Sequence, residues 1–279
     1  MTDPRVTAIV VTYRRLEMVQ QTVQAVLEQS LPVQALIVVD NDSNAAVEMA
    51  VTAASPLVQY LALADNPGFG AGLGAGLDLA RATHPADWYL LLDDDSPPAA
   101  DALGRALDVA RSAPSAPALG VVATRGGHIR AGRIRHDLSD VRGEKAQPAD
   151  FALVDGAIVA DAAITAVGGP RRDLFMNLED IEFTTRIRLA GFGVLVRQRD
   201  SSTFHHLGST SAWRGYYQAR NHLRVAIDLR QWSWLWGWLV RETAIGLHLV
   251  KDRRFRALVL RWRGAVDALR NRMGRTVNP

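Results

Sequence analysis

The stretch VTAIVVTYRRLEMVQQTVQAVLEQS (residues 6–30) decides the fold class. Its first eight residues form a β-branched run bounded by charge, long enough for a buried strand. Leu16, Val19, Val23, Val26 and Leu27 then recur at helical spacing, so a strand hands over to a helix. ALIVVDNDS (35–43) repeats the strand signal, ends in a polar turn and leads into a second apolar-periodic stretch. VQYLAL (58–63) supplies a third strand and ADWYLLLDDDS (86–96) a fourth. Strands that are nearly continuously apolar and alternate with helices predict an α/β chain with a mostly parallel sheet covered on both faces. Such sheets bind ligands at their strand C-termini, and Thr12, Asp40 and Asp93–Asp95 all fall at such ends.

Further along, SAPSAPALGVVATR (112–125) reads as a loop and then a strand, and residues 126–150 as a loop or short hairpin. FALVDGAIVAD (151–161) resumes strand character. LEDIEFTTRIRLAGFG (178–193) reads as a helix with acids in its first turn, arginines near its end and Gly191 as its stop. GVLVRQRDSSTFHH (193–206) gives a last strand pattern, and the remainder is helical and Arg-rich.

At 279 residues and 48% hydrophobic, the chain can bury one large or two small cores. It contains no cysteine, which excludes disulfide scaffolds, thiolate zinc sites and cysteine nucleophiles and is compatible with a reducing cytoplasm. The N-terminus has no basic segment followed by a long apolar one, so no signal peptide is expected. The net charge of +3 hides an asymmetry: residues 213–279 carry 14 Lys/Arg against 4 Asp/Glu, net +10, leaving −7 on the rest. A basic tail behind an acidic body predicts an anionic partner surface, membrane or nucleic acid. In that tail Trp232, Trp234, Trp236 and Trp238 alternate. On a helix successive members lie 200° apart and gather on two opposing sides. The apolar run from Trp234 to Val240 is too short to span a bilayer. Tryptophan with flanking arginine fits an interfacial helix near anionic headgroups, or else a helix packed on the catalytic domain or a dimer partner.

Four motifs carry candidate chemistry. Two carboxylates about 4 Å apart repel by roughly 4 kcal/mol at an effective dielectric near 20. Asp93–Asp95 therefore form either a solvated acidic turn or a hard-cation site for Mg²⁺ or Mn²⁺, and the apolar strand that fixes them favours the cation. Glycines alternate from Gly68 to Gly76, either for close helix-to-sheet packing or for approach of backbone to a nucleotide or sugar. Glu179, Asp180 and Glu182 open a helix, either complementing its dipole or placing a general base. His205 and His206 are either surface residues or a third protein ligand for the metal.

Taken in order, VVTYRR, VVDNDS, NPGFGAG, LLLDDD, DGAIV, NLEDIEF, HHLGSTS and YYQARN make the chain resemble a family 2 inverting glycosyltransferase of the GT-A fold. It is similar in particular to the bacterial branch of rhamnosyltransferases and galactofuranosyltransferases. The resemblance implies a catalytic domain over residues 1–212, with a nucleotide-sugar half (1–120) and an acceptor half (121–212), followed by a basic helical extension (213–279). It implies that Thr12, Asp40, Asn66 and Gly68 line the donor pocket, that Asp93 and Asp95 hold Mn²⁺ or Mg²⁺ with His205, and that Asp94 touches ribose or metal. Asp180 matches the base, Glu179 its neighbour, and Arg220 an arginine near the diphosphate or acceptor. The expected partners are a UDP- or dTDP-linked sugar and a lipid-linked or cell-envelope glycan. The expected place of action is the inner face of the cell membrane, with no nucleic acid involved. A sugar-phosphate nucleotidyltransferase and a non-catalytic binding module are the competing readings; the first would show a glycine in VVTYRRLEM, which has none.

Overall fold

The computed structural model describes residues 4–138, 145–197 and 211–278. The first part of the chain runs β1 (Val6–Thr12), α1 (Leu16–Leu27), β2 (Ala35–Asp40), α2 (Ala45–Ala54), β3 (Val58–Ala62), α3 (Phe69–Thr83), β4 (Trp88–Asp93) and α4 (Ala102–Ser112). Next come β5 (Leu119–Ala123), β6 (Gly126–Arg130), β7 (Arg133–Arg135), β8 (Gln147–Pro148), β9 (Phe151–Ala152), β10 (Ala157–Ala160), α5 (Asp161–Val167), α6 (Glu179–Leu189) and β11 (Gly193–Val196). Three helices follow: α7 (Ala212–Asp228), α8 (Trp232–Lys251) and α9 (Phe255–Leu269).

The main sheet has the order β3-β2-β1-β4-β10-β5-β11-β8. β1 pairs in parallel with β2 and β4, with Thr12 opposite Asp40 and Val11 opposite Asp93. The strand order reverses between β1 and β4, which opens the crevice where such sheets take their ligands. β1 is buried along its whole length, and apolar clusters fill both faces of the sheet, one around Ile9, Leu73 and Leu91 and the other around Val10, Val38 and Leu92.

The stretch 151–161 is two strands rather than one. β9 joins a small sheet with β6 and β7, β10 enters the main sheet antiparallel to β4 and β5, and Gly156 turns between them at φ 77°. The expected hairpin within 126–150 is β6 with β7. The glycines of α3 serve packing on two sides. A Cβ on Gly72 or Gly76 would strike Val11 or Ile9, and one on Gly70 or Gly74 would strike the Arg171 carbonyl or the Arg172 side chain.

The C-terminal helices share a core with the rest of the chain. Trp234 is buried with Phe151, Leu174, Ile181 and Val225. α9 lies so close on α7 that a Cβ on Gly264 would meet the Tyr216 carbonyl at 2.5 Å. Among the described residues, no helix is long and apolar enough to cross a membrane.

Candidate active site

At the crevice lies a cleft of about 970 Å³. Its walls come from the ends of β1 and β4, the segment before β10, the start of α6, and Arg214, Gln218 and Arg241 of α7 and α8. Asp93, Asp94 and Asp95 offer carboxylate oxygens within 4.8 Å of one another. Burial, then the charges of Asp94, Asp155 and Asp95, pushes Asp93 well above the usual carboxylate range. An all-oxygen, mutually repelling donor set suits a hard divalent cation, which would relieve that repulsion. The three have different surroundings. Asp94 is almost wholly buried and already engaged: the Thr12 hydroxyl donates to Oδ2 at 2.7 Å and Arg15 Nη1 to Oδ1 at 2.8 Å. The same Arg15 nitrogen reaches Asp95 Oδ2 at 2.8 Å, so one guanidinium partly neutralises the cluster. Asp94, expected to reach ribose or metal, thus ties β1 to β4, while Asp93 and Asp95 are less buried.

Asp155 is a site residue that the sequence reading passed over within DGAIV. Its carboxylate accepts from the Asp93 backbone N–H at 3.1 Å, the Ser96 hydroxyl at 2.6 Å and Arg125 at 3.0 Å. It therefore fixes the strand end that carries the triplet. Burial raises its pKa, against the lowering effect of these donors. The signal available in sequence was an acid beside a glycine interrupting an apolar run.

Across the cleft, Glu179 and Asp180 open α6. The approach is strained: Phe175, Asn177 and Leu178 all have φ between 64° and 69°, at a cost of about 1–3 kcal/mol for each such residue. Asn221 of α7 holds this segment, its Nδ2 donating to the carbonyls of Leu174, Met176 and Asn177 at 2.7–2.9 Å. Burial, then the Asp180 charge, pushes Glu179 up to about 8, and burial pushes Asp180 up to about 6. Near neutral pH the pair therefore holds about one proton between its two carboxylates. Asp180 Oδ1 accepts the Ile181 N–H at 2.8 Å in the first turn of α6, which favours the charged form. Glu182, the third acid of the motif, is buried and paired with Arg186 at 2.7 Å within the same helix, a structural ion pair.

Two expected donor residues lie elsewhere. Arg220 is fully buried against the rings of Tyr216 and Tyr217, and its guanidinium donates to the carbonyls of Leu174 and Gly274 and to the Thr276 hydroxyl. It braces the C-terminal segment and the strained approach to α6 and does not line the cleft. Asp40 is also fully buried: its carboxylate accepts the N–H groups of Asp42 and Asn44 and the Tyr60 hydroxyl, closing the turn after β2. Asn41, the next residue, lines the cleft instead, and its Oδ1 is buried with no hydrogen-bond partner. Thr12, Asn66 and Gly68 do line the cleft. At Gly68 the backbone is at φ 101° and a Cβ would strike the Phe175 carbonyl, so only glycine fits where the start of α3 meets the approach to α6. His205 and His206 lie outside the described residues.

Comparison with known proteins agrees with this geometry. The chain is 28% identical over 240 residues to galactofuranosyltransferase GlfT1 of Mycolicibacterium smegmatis, covering 80% of this chain and 78% of that protein. It is 28% identical over 218 residues to GlfT1 of Mycobacterium tuberculosis, covering 72% and 70%. The fold matches mannosyltransferase PcManGT from Pyrobaculum calidifontis, solved with GDP-Man and Mn²⁺, at a TM-score of 0.61 and 17% identity over 96% of this chain and 88% of that one. It also matches residues 1–349 of TarS from S. aureus, solved with UDP-GlcNAc, at 0.53 and 15% over 80% and 66%. The expected GT-A architecture is therefore the one observed, and the nucleotidyltransferase and non-catalytic readings fall away. Residues 7–163 match the model of glycosyl transferase family 2, more than half of the chain, and the chain is a glycosyltransferase belonging to that family.

Proposed function

We propose that the chain moves a sugar, with inversion, from a nucleotide diphosphate sugar to a hydroxyl of a lipid-linked or cell-envelope glycan. One observation carries the reading: a carboxylate cluster fit for a cation and the buried carboxylate pair Glu179–Asp180 line the same cleft. In this reading Asp93 and Asp95 would hold Mn²⁺ or Mg²⁺, with His205 as a further candidate ligand, and the cation would supply positive charge against that growing on the departing diphosphate. Asn41 Oδ1 accepts an N–H of the nucleobase, in place of Asp40, beside Thr12, Asn66 and Gly68. Arg214 and Arg241, in place of Arg220, supply positive charge to the opposite wall. Asp180 takes the acceptor proton as the hydroxyl attacks the anomeric carbon from the face opposite the leaving group, so one displacement inverts that centre.

The likeness to galactofuranosyltransferases supports galactofuranose as the sugar, with rhamnose the alternative. The neighbours solved with GDP-Man and UDP-GlcNAc support a nucleotide sugar as donor. The expected setting is the cytoplasmic face of the cell membrane, where a lipid-linked acceptor is presented. A panel of UDP- and dTDP-linked sugars, assayed for Mn²⁺-dependent hydrolysis and transfer, tests the reading. Turnover of UDP-galactofuranose above the others is the expected result, and turnover of none contradicts it.

A further inference from the structure

Outside the cleft, ten of the fourteen large apolar side chains left exposed among the described residues lie on α8 and α9. On α9 Phe255, Val259, Trp262, Val266 and Leu269 follow each other at steps of four and three, which puts all five on one face, and they are 39% to 69% exposed. The other side of the helix, with Ala257, Gly264, Ala265 and Ala268, is buried, the glycine directly against α7. The tryptophans of α8 divide in the same sense. Trp234 is buried and Trp238 donates its indole N–H to the Ala219 carbonyl at 2.9 Å, while Trp232 and Trp236 are 70% and 64% exposed. An exposed apolar face of this extent marks an interaction surface.

The charge around it selects the occupant. Between residues 251 and 275 eight Lys/Arg are exposed, among them Arg253, Arg254, Arg256, Arg263 and Arg270, against one exposed acid, Asp252. A second copy on this face would bring the same cations against one another, whereas anionic headgroups complement them. We infer that the outer faces of α8 and α9 form a membrane-docking surface, with the indoles and aliphatic side chains at the headgroup boundary and the arginines on anionic lipid. α8 also contributes Arg241 to the cleft, so docking would hold the catalytic wall next to the lipid surface. The inference rests on the proposed reading only for its purpose, bringing the cleft to a lipid-borne acceptor.

Flotation of the full chain with phosphatidylcholine vesicles, with and without phosphatidylglycerol, tests it. Binding to the anionic vesicles is expected to exceed binding to the neutral ones by about 30-fold or more and to fall in high salt. Trp236→Glu with Trp262→Glu, and separately Arg256→Glu with Arg263→Glu, are each expected to weaken vesicle binding by about tenfold or more while Mn²⁺-dependent UDP binding is kept. Equal binding by wild type and both variants, or binding to no vesicle, overturns the inference. So does sedimentation showing a wild-type dimer that the variants dissociate, with no vesicle binding: the face would then belong to a second copy. Vesicle binding as expected by a wild type that does not bind UDP would uphold this surface and defeat the glycosyl-transfer reading instead.

Discussion

On the β1/β4 side of the cleft, Asp93–Asp95 ride on a strand end inside the main sheet, between β1 and β10, and their ties to Thr12, Arg15 and Asp155 reach neighbouring strand ends and loops. On the α6 side, Glu179 and Asp180 follow a backbone segment with three residues at positive φ, held by Asn221 and Arg220 from a helix more than 40 residues away. The contrast shows that the proposed metal-side cluster is fixed by strand pairing, whereas the proposed base depends on a strained segment held by α7. Substitutions on the two walls should therefore fail in different ways: loss of donor or metal affinity on one, loss of turnover with donor affinity kept on the other.

The largest expected effect is at the proposed base. Asp180→Asn should lower kcat by about 10³-fold, in line with loss of a general base, while calorimetry shows UDP bound as before. Normal turnover would move the role to Glu179 or elsewhere. Next, Asn221→Ala removes three hydrogen bonds to carbonyls of the strained segment. It should cut kcat by about 100-fold through misplacement of Asp180 and lower Tm, again with UDP affinity kept. An equal fall in UDP affinity would erase the distinction between the walls.

The pH dependence follows from the same pair. With Asp180 pushed up to about 6, kcat/KM should fall as pH drops below about 6, an acidic limb higher than an ordinary aspartate would give. A limb near 4 would contradict the burial argument. On the donor wall, Asn41→Ala should weaken UDP binding by about 3–10-fold, the worth of one hydrogen bond, with kcat at saturating donor little changed. The smallest effect is on stability. Folded Glu179 holds its proton up to about 8, against about 4.3 in the unfolded chain, so the fold binds the extra proton and loses stability as pH rises through that window. Glu179→Gln has no proton to lose, and its Tm should decline less than that of the wild type between pH 5 and about 8.5.

Most of the strand-side wall was legible in the sequence because its signals are local: β-branched runs set the strands, and the polar residues where they stop fall at the crevice. Asp155 was harder to place: Asp-Gly interrupts the apolar run FALVDGAIVAD, but that break takes on meaning only through β9 and β10 pairing into different sheets. Asp40 and Arg220 were misplaced for a related reason. Residue type alone does not tell a carboxylate that closes its own turn from one that meets a ligand, and the carbonyl partners of Arg220 lie 46 and 54 residues away. The alternating tryptophans announced two helix sides; which side would be covered depended on the core formed by Phe151, Leu174 and Ile181.

The central claim, that Asp93 and Asp95 bind a nucleotide diphosphate through a divalent cation, is tested most directly by calorimetry of UDP with and without Mn²⁺, wild type against Asp95→Ala. The account predicts tight binding by the wild type only with Mn²⁺, and weak binding by the variant whether or not the metal is present. Metal-independent UDP binding, or a variant that binds as the wild type does in Mn²⁺, would contradict it.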